Sequence, residues 1–313
     1  MMKLTQLTLS LAIVFSLVTA ASSDDVSARR EKLDVVTNKL AGGEYLLRYK
    51  LQNGANLRWQ VTHLASTQTT IQGNTQTAKS KSESVKVWKV TNIEANGNAS
   101  FVHQVDEVNM WQKVSDRAEI RYNSKTDETA PPIYKPVAET VGVPMYVASI
   151  DPRGQVIKRE SKHKQTEVSQ IGLENLTILL PEKPVKVGSS WYSPSQLNVR
   201  LPDGRVKEIK IRRSYKLTKV HAGVATIDVK TEVLTPMNDP KVKLNLLQRL
   251  NHGSFKFDID AGIVLRKQMK WDETIINFNG ADSIMHYLAE FTEELIPNET
   301  ATAKTATAGA STK

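Results

Sequence analysis

Two short patterns each occur twice in this chain, and in the same order. Trp88-Lys89-Val90-Thr91-Asn92-Ile93 returns as Tyr215-Lys216-Leu217-Thr218-Lys219-Val220, each copy followed by a glycine and an alternating run. Tyr146-Val147-Ala148-Ser149-Ile150-Asp151 returns as Phe255-Lys256-Phe257-Asp258-Ile259-Asp260. Strand-like alternation alone would not preserve both the turn chemistry and the chain order, so the pairs point to a duplicated β-rich unit. The fold class expected is mainly β: two related antiparallel β units, as curved sheets or half-barrels, with a few short helices.

Turn residues divide the alternating runs into hairpins. Asn96-Gly97 separates residues 85–94 from 99–108, because Asn-Gly supplies the positive φ of a tight turn. Asp151-Pro152-Arg153-Gly154 joins 146–150 to 155–158, Asp203-Gly204 joins 198–201 to 206–211, and Asp260-Ala261-Gly262 joins 255–259 to 263–271. In the last of these, Phe255, Phe257 and Ile259 face one way and Lys256 and Asp258 the other, and Ile263, Leu265, Met269 and Trp271 give an apolar face to the return strand. Residues 66–84 are Thr, Gln, Ser and Lys without an apolar face, and read either as two exposed strands turning at Gln72-Gly73-Asn74 or as a mobile loop.

Residues 1–20 read as an export signal: Lys3, an apolar core over 7–18, and the small residues Val18-Thr19-Ala20 for cleavage. Residues 21–42 are the N-terminal helix, with Val26, Leu33, Val36 and Leu40 near one face and Gly42-Gly43 as its stop. The first β unit spans 43–166. A connector spans 167–184, loosely helical until Pro181, and the second β unit spans 185–296. Residues 297–313, almost all Ala, Thr, Ser and Lys, read as a disordered tail. No later segment is long and apolar enough for a bilayer, so no membrane span is expected after signal cleavage.

The chain has no cysteine, which excludes disulfides, thiolate metal sites and a lipid-bearing cysteine. Its net charge of +9 is spread along strands such as Lys207-Glu208-Ile209-Lys210-Ile211-Arg212-Arg213, the pattern of solvated faces of a half-buried sheet. No nucleic-acid motif is present, and an extracytoplasmic chain, periplasmic or secreted, would not meet nucleic acid.

The motifs of catalysis are equally sparse. His63, His103, His163, His221, His252 and His286 lack metal-ligand spacing, so no metal and no cofactor is expected. Asp258, Asp260 and Gly262 share features with a short calcium loop, but Leu265 and Arg266 stand where further acids belong, and a hairpin turn is the preferred reading. Gly188-Ser189-Ser190-Trp191 lacks the second glycine of a nucleophile elbow, and the adjacent Asp106 and Glu107 point to opposite faces of a strand. No catalytic residue is assigned. Among the tryptophans, Trp88, Trp191 and Trp271 read as core, whereas Trp59 and Trp111 have largely polar neighbours and are the candidate ligand-binding residues, through stacking on a sugar or lining an apolar cleft.

The export signal, the opening Gly43-Glu44-Tyr45-Leu46-Leu47-Arg48-Tyr49, the stretch from Leu180-Pro181-Glu182-Lys183-Pro184 to Gly188-Ser189-Ser190-Trp191, and the two Ile-Asp turns closed by a glycine resemble a group of uncharacterised secreted bacterial β-rich proteins. The resemblance covers most of the mature chain and brings no activity and no functional residue with it. The curved half-barrel of periplasmic lipoprotein carriers is a more distant analogy, at the level of fold alone. The expected function is that of an exported, non-enzymatic envelope or periplasmic protein binding an apolar or amphiphilic ligand or an envelope component, with a lipid or glycan as partner. A glycan or anionic-polymer binding module is the alternative, and a hydrolase with residues from both halves is the third class.

Overall fold

A computed structural model describes residues 39–40, 42–162, 176–200, 204–237 and 239–297. The export signal, the N-terminal helix up to residue 38, the connector over 167–175 and the tail from residue 298 lie outside the described residues. Within 39–297 the chain builds one antiparallel sheet of 12 strands. In chain order these are β3 (Asn56–Ile71), β4 (Asn74–Ile93), β5 (Ala99–Val114), β6 (Ile120–Asn123), β7 (Pro144–Ile150), β8 (Val156–Ser161), β9 (Ser190–Arg200), β10 (Val206–His221), β11 (Val224–Val233), β12 (His252–Asp258), β13 (Ile263–Ile276) and β14 (Ser283–Leu295). Two further strands, β1 (Lys39–Leu40) and β2 (Glu44–Tyr45), pair with each other, and Tyr45 of β2 also forms an antiparallel bridge with Val185. Lys39 and Leu40 were expected at the end of a helix; Gly42 and Gly43, both at positive φ, instead turn the chain between two short strands.

The strands follow one another as β8-β7-β5-β4-β3-β14-β13-β12-β11-β10-β9, with β6 against the far end of β5. The expectation of two β units gives way here to a single sheet, because β14 pairs with β3 along its whole length, from Ser283 opposite Ile71 to Leu295 opposite Trp59. The polar stretch 66–84 is the tip of a long hairpin rather than a loop. It turns at Gln72 and Gly73, both left-handed, and β3 and β4 stay in register from Ile71–Asn74 back to Asn56–Lys89.

One face of the sheet carries the core. Trp59, Trp88, Phe101, Tyr146, Tyr215, Ile227, Phe257 and Met269 come from eight strands and belong to one apolar cluster. The ends of the sheet also approach each other, since the β7–β8 turn and β9 border the same cleft, so the sheet curls with its apolar face inward. Two satellite clusters extend this face. Val199, Ile209 and Ile211 are covered by a helix, Pro240–Leu246, through Val242 and Leu246, and Val108 packs with Tyr122 and Tyr134 beyond β5. The helix was not foreseen, although Asp239 caps it by accepting from Lys241 N–H at 2.8 Å and Pro240 occupies its first position.

A strap crosses the inner face. Residues 46–51 make no ladder although Leu47, Tyr49 and Leu51 alternate as in a strand; Leu47 and Tyr49 are buried and the backbone bonds to turns instead. Tyr49 N–H donates to Pro152 at 2.7 Å and Lys50 N–H to Gly262 at 3.1 Å, so consecutive residues grip the two turns whose sequences echo each other. Each turn is capped by an aspartate, though not at corresponding positions. Asp151 Oδ1 accepts from Arg153 and Gln155 N–H, and Asp258 Oδ1 accepts from Asp260 and Ala261 N–H. Each closes on a glycine the strap nearly touches. A Cβ on Gly154 would lie 2.5 Å from Tyr49 and from the Ile178 carbonyl, and one on Gly262 would lie 2.4 Å from Lys50 N. A second extended segment, residues 176–180, lies beside the strap, with Ile178 and Leu180 buried and Leu180 N–H bonded to the Arg153 carbonyl; its expected helical form is not adopted.

Gly154→Ala and Gly262→Ala are therefore expected to destabilise the fold by about 1–3 kcal/mol more than Gly54→Ala. Gly54 has a comparable φ of +75° but nothing within 4 Å of its would-be Cβ, so it reports the backbone strain alone, about 1 kcal/mol. Urea unfolding of the three variants measures the difference, and equal losses would mean that the strap does not hold the turns.

Candidate functional site

Alternation fixes which side chains enter the curled sheet. Along β3 the odd-numbered residues face inward, so Trp59 is 2% exposed, and its indole N–H donates to the Val264 carbonyl at 3.0 Å. Trp111 lies on the outer face: it pairs with Lys81, which pairs with Leu64, and Leu64 has the opposite parity to Trp59. The two candidate residues are therefore on opposite sides of the sheet. Trp59 stands 5.0 Å from Trp88, which stacks on Phe101 at 4.2 Å, while the indole of Trp111 donates to Glu119 at 2.9 Å.

The polar neighbours of Trp59 lie inside with it. Lys86 is directly opposite Trp59, and Lys267 is directly opposite Glu293. Lys86 reaches across β3 to form an ion pair with Glu293, its ammonium 4.4 Å from the Trp59 ring and 4.9 Å from the Trp88 ring. Lys267 lies 4.9 Å from the Phe291 ring. Burial pushes Lys267 down to about 8, against the pull of Glu293, with Lys86 adding to the depression; burial also lowers Lys86 while Glu293 raises it. A cavity of ≈ 20 Å³ between Trp59, Ile178, Phe255, Lys267 and Glu293 has room for one water molecule and no more. This interior is core with a charged centre, too small to hold an organic ligand.

The larger openings lie elsewhere. A cleft of ≈ 570 Å³ runs along the seam where the β7–β8 turn, the 176–180 segment and β9–β10 meet. Among the described residues Val156, Leu179, Leu197 and Ile211 form its apolar walls, and Arg213 and Arg249 line it with them. Its floor is held rigidly. Trp191 stacks on Tyr215 at 5.6 Å and donates to the Leu179 carbonyl at 2.6 Å, and the Tyr215 hydroxyl accepts from Leu179 N–H and from Arg213. Trp191, expected as core, is thus a partly buried support beneath the cleft. A second groove, ≈ 520 Å³, lies on the outer face around Leu64, Trp111 and Leu288, rimmed by Lys79, Lys270, Asp272 and Glu290.

Among the described residues no group of three or more His, Asp or Glu side chains is placed to hold a metal. His63 packs against Trp271 and Phe291, His286 meets Asp272 at 2.9 Å, His252 lines the outer groove, and His163 lies outside the described residues. His103 is stacked on Tyr146 at 4.5 Å, and the Arg159 guanidinium lies over the Tyr146 ring, 4.7 Å from its centroid. Burial, with Lys86 and Arg159 adding to it, lowers His103 to about 3. The residues sequence reasoning missed are Arg213 and Arg249. Arg213 is in phase with Ile211 and Tyr215 on the apolar face, and that phase was the available signal.

Residues 161–264 match DUF6263, a family of unknown function. The match spans a third of the 313-residue chain, from the end of β8 into β13, and agrees there with the resemblance to uncharacterised β-rich proteins. No curated protein matches the sequence. Among solved structures, the chain is similar to one described under lipid–protein interactions in lipovitellin, with 10% identity, a TM-score of 0.46, 79% of this chain and 25% of that chain covered. This chain thus spans a quarter of the lipovitellin chain. The secretin InvG of the Salmonella type III secretion injectisome (7% identity, TM-score 0.22, 93% and 73% covered) and the translocator domain of the autotransporter NalP from Neisseria meningitidis (9% identity, TM-score 0.21, 87% and 97% covered) are further likenesses. With TM-scores below 0.5, none of them bears on function. Among the described residues no helix is long and apolar enough to cross a membrane.

The neutral state of His103 has a consequence in acid. A folded pKa of about 3 against an unfolded value near 6.5 means that the unfolded chain binds more protons between these limits, so stability falls as pH falls through that window. At pH 5 the loss is about 2 kcal/mol relative to pH 8. His103→Phe, which keeps a ring against Tyr146, is expected to flatten this limb in unfolding curves taken from pH 8 to pH 5; an unchanged limb would place the acid sensitivity elsewhere.

Proposed function

We propose that this chain is an exported, non-enzymatic protein that binds an amphiphilic ligand in the seam cleft, in the periplasm or outside the cell. The observation that carries the reading is the cleft itself: ≈ 570 Å³ of space lined by apolar residues together with Arg213 and Arg249, within the size range of small-molecule sites. Trp191, Tyr215 and Leu179 hold its floor by stacking and hydrogen bonds, so the shape is formed without a ligand and little ordering is left for binding to offset. Trp59 belongs to the packing beneath this site and not to ligand contact. The reading of residues 1–20 as an export signal supports the location.

A glycan or anionic polymer on the outer groove is the second reading, favoured by Trp111 beside Leu64 and Leu288 with Lys79 and Lys270 at the rim. Retention on a polysaccharide column that falls with salt and is lost in Trp111→Ala would establish it.

We also infer that the sheet arose by duplication. β3-β4-β5-β7-β8 and β9-β10-β11-β12-β13 are meanders with the same succession of neighbours, and the echoed sequences stand at corresponding strands in both. The Asp-to-Gly turns that grip Tyr49 and Lys50 also correspond. β14 has no counterpart in the first half.

Ser195→Trp places an indole in the cleft from the exposed edge strand. It is expected to weaken binding of a fluorescent fatty acid by about tenfold or more, worth about 1.4 kcal/mol, with the melting temperature unchanged. Undiminished binding by the folded variant would remove the cleft as the site.

A further inference from the structure

Resting on the cleft reading above, we infer that the ligand's head is an uncharged sugar, stacked on Tyr192 at the rim of the cleft while its apolar chain lies along Leu179, Leu197 and Ile211. Tyr192 is 54% exposed, and no other aromatic side chain among the described residues is exposed. An exposed ring says little by itself. This one lines the cleft, and it is held in place.

The Arg212 guanidinium lies over one face of the Tyr192 ring, 4.8 Å from its centroid. Glu232 fixes that guanidinium by accepting from Arg212 Nε at 3.0 Å and Nη2 at 2.9 Å, and it accepts from the Ser214 hydroxyl at 2.8 Å. In the β9–β10 ladder Ser214 is directly opposite Tyr192, and Arg212 directly opposite Pro194, so ring and support sit on adjacent positions of two paired strands. With one face taken by Arg212, the exposed surface of the ring is its other face and its edge. Tyr192 has the opposite parity to Ser193, Ser195 and Leu197, which sets it at the rim of the cleft rather than on the wall that Leu197 shares with Ile211.

A sugar ring presents C–H groups on its faces and hydroxyls around its edge. The C–H face packs on an aromatic ring, and the hydroxyls need partners that both donate and accept. Gln155, Ser193, Ser195, Gln196 and Gln248 line the cleft, and among the described residues their side chains form no hydrogen bond with the protein. Amide and hydroxyl groups donate and accept, whereas a carboxylate head only accepts and an ammonium head only donates. Arg213 and Arg249 also line the cleft, but both have partners within the protein, so the head is read from the uncharged groups. The described lining holds no carboxylate that would select a cation.

The test is calorimetric titration of the full chain with decyl maltoside, decanoate and decyltrimethylammonium, each below its micelle concentration, in the wild type, Tyr192→Ala and Tyr192→Trp. The probes share an alkyl chain and differ in the head. The maltoside is expected to bind about tenfold tighter than either ion. Tyr192→Ala should abolish that preference without changing the affinity for decanoate, and Tyr192→Trp should keep it, with unchanged melting temperatures. Maltose alone distinguishes the source of the sugar: binding about a hundredfold weaker than the maltoside is expected of an amphiphile's head, and equally tight binding would overturn the lipid source in favour of a free glycan. Equal binding of all the decyl probes, indifferent to Tyr192→Ala, would overturn the sugar head and leave the amphiphile cleft standing. Binding of none of them would overturn the cleft reading as well.

Discussion

The pairing of β14 with β3 is the constraint on which the rest depends. The hairpins on either side are local and need only their turns, but this ladder joins segments more than 200 residues apart in the chain. Without it, two meanders would each present an apolar face to water. With it, the inner faces merge, and side chains two strands apart come within reach beneath the join. Lys86 meets Glu293 and Trp59 meets the Val264 carbonyl across it. Such long-range pairing pays its chain entropy before any contact rewards it, and the buried ion pair and the aromatic cluster form only once it is in place.

The charged centre is tolerated because it is surrounded by rings. Lys86 pairs with Glu293, Lys267 stands opposite that carboxylate in the ladder, and the faces of Trp59, Trp88 and Phe291 lie against the two ammonium groups. A buried pair of this kind adds little net stability over an apolar replacement, but removing one partner is costly. It therefore fixes register more than it contributes energy: a slip of β4 or β14 by one residue would send Lys86 or Glu293 to the outer face and break the pair.

The local parts of the fold were legible in sequence. Asn96-Gly97 and the two Asp-to-Gly turns announced their hairpins, and the alternation of Phe255, Phe257 and Ile259 announced the inner face. What failed was the choice of partners, because a strand does not name its neighbour across the chain. Residues 66–84 left strand and loop undecided because their inward positions are small and polar, as with Ser80, Ser82 and Ser84; the apolar cover comes from other strands. Trp59 looked exposed because polar residues flank it in sequence, whereas its cross-strand partner Lys86 is buried and paired. Residues 46–51 looked like a strand because Leu47, Tyr49 and Leu51 alternate, yet their backbone bonds go to turns. For the cleft, Arg213 carried the available signal: a cation in phase with apolar residues is either paired in the interior or set at a site.

Among the described residues β8 and β9 stand at the two ends of the strand order, and their sequences suit an exposed edge. β9 carries Pro194 at a position that cannot donate to a new ladder, and β8 carries Lys158, Arg159 and Glu160 in succession. A further strand, from another copy or from an unfolded neighbour, would have to bury these charges or forgo a hydrogen bond at the proline. Growth of the sheet by addition at its rim is thereby discouraged at both ends, so that a chain with long, strongly β-forming strands keeps its edges from becoming templates for fibrils.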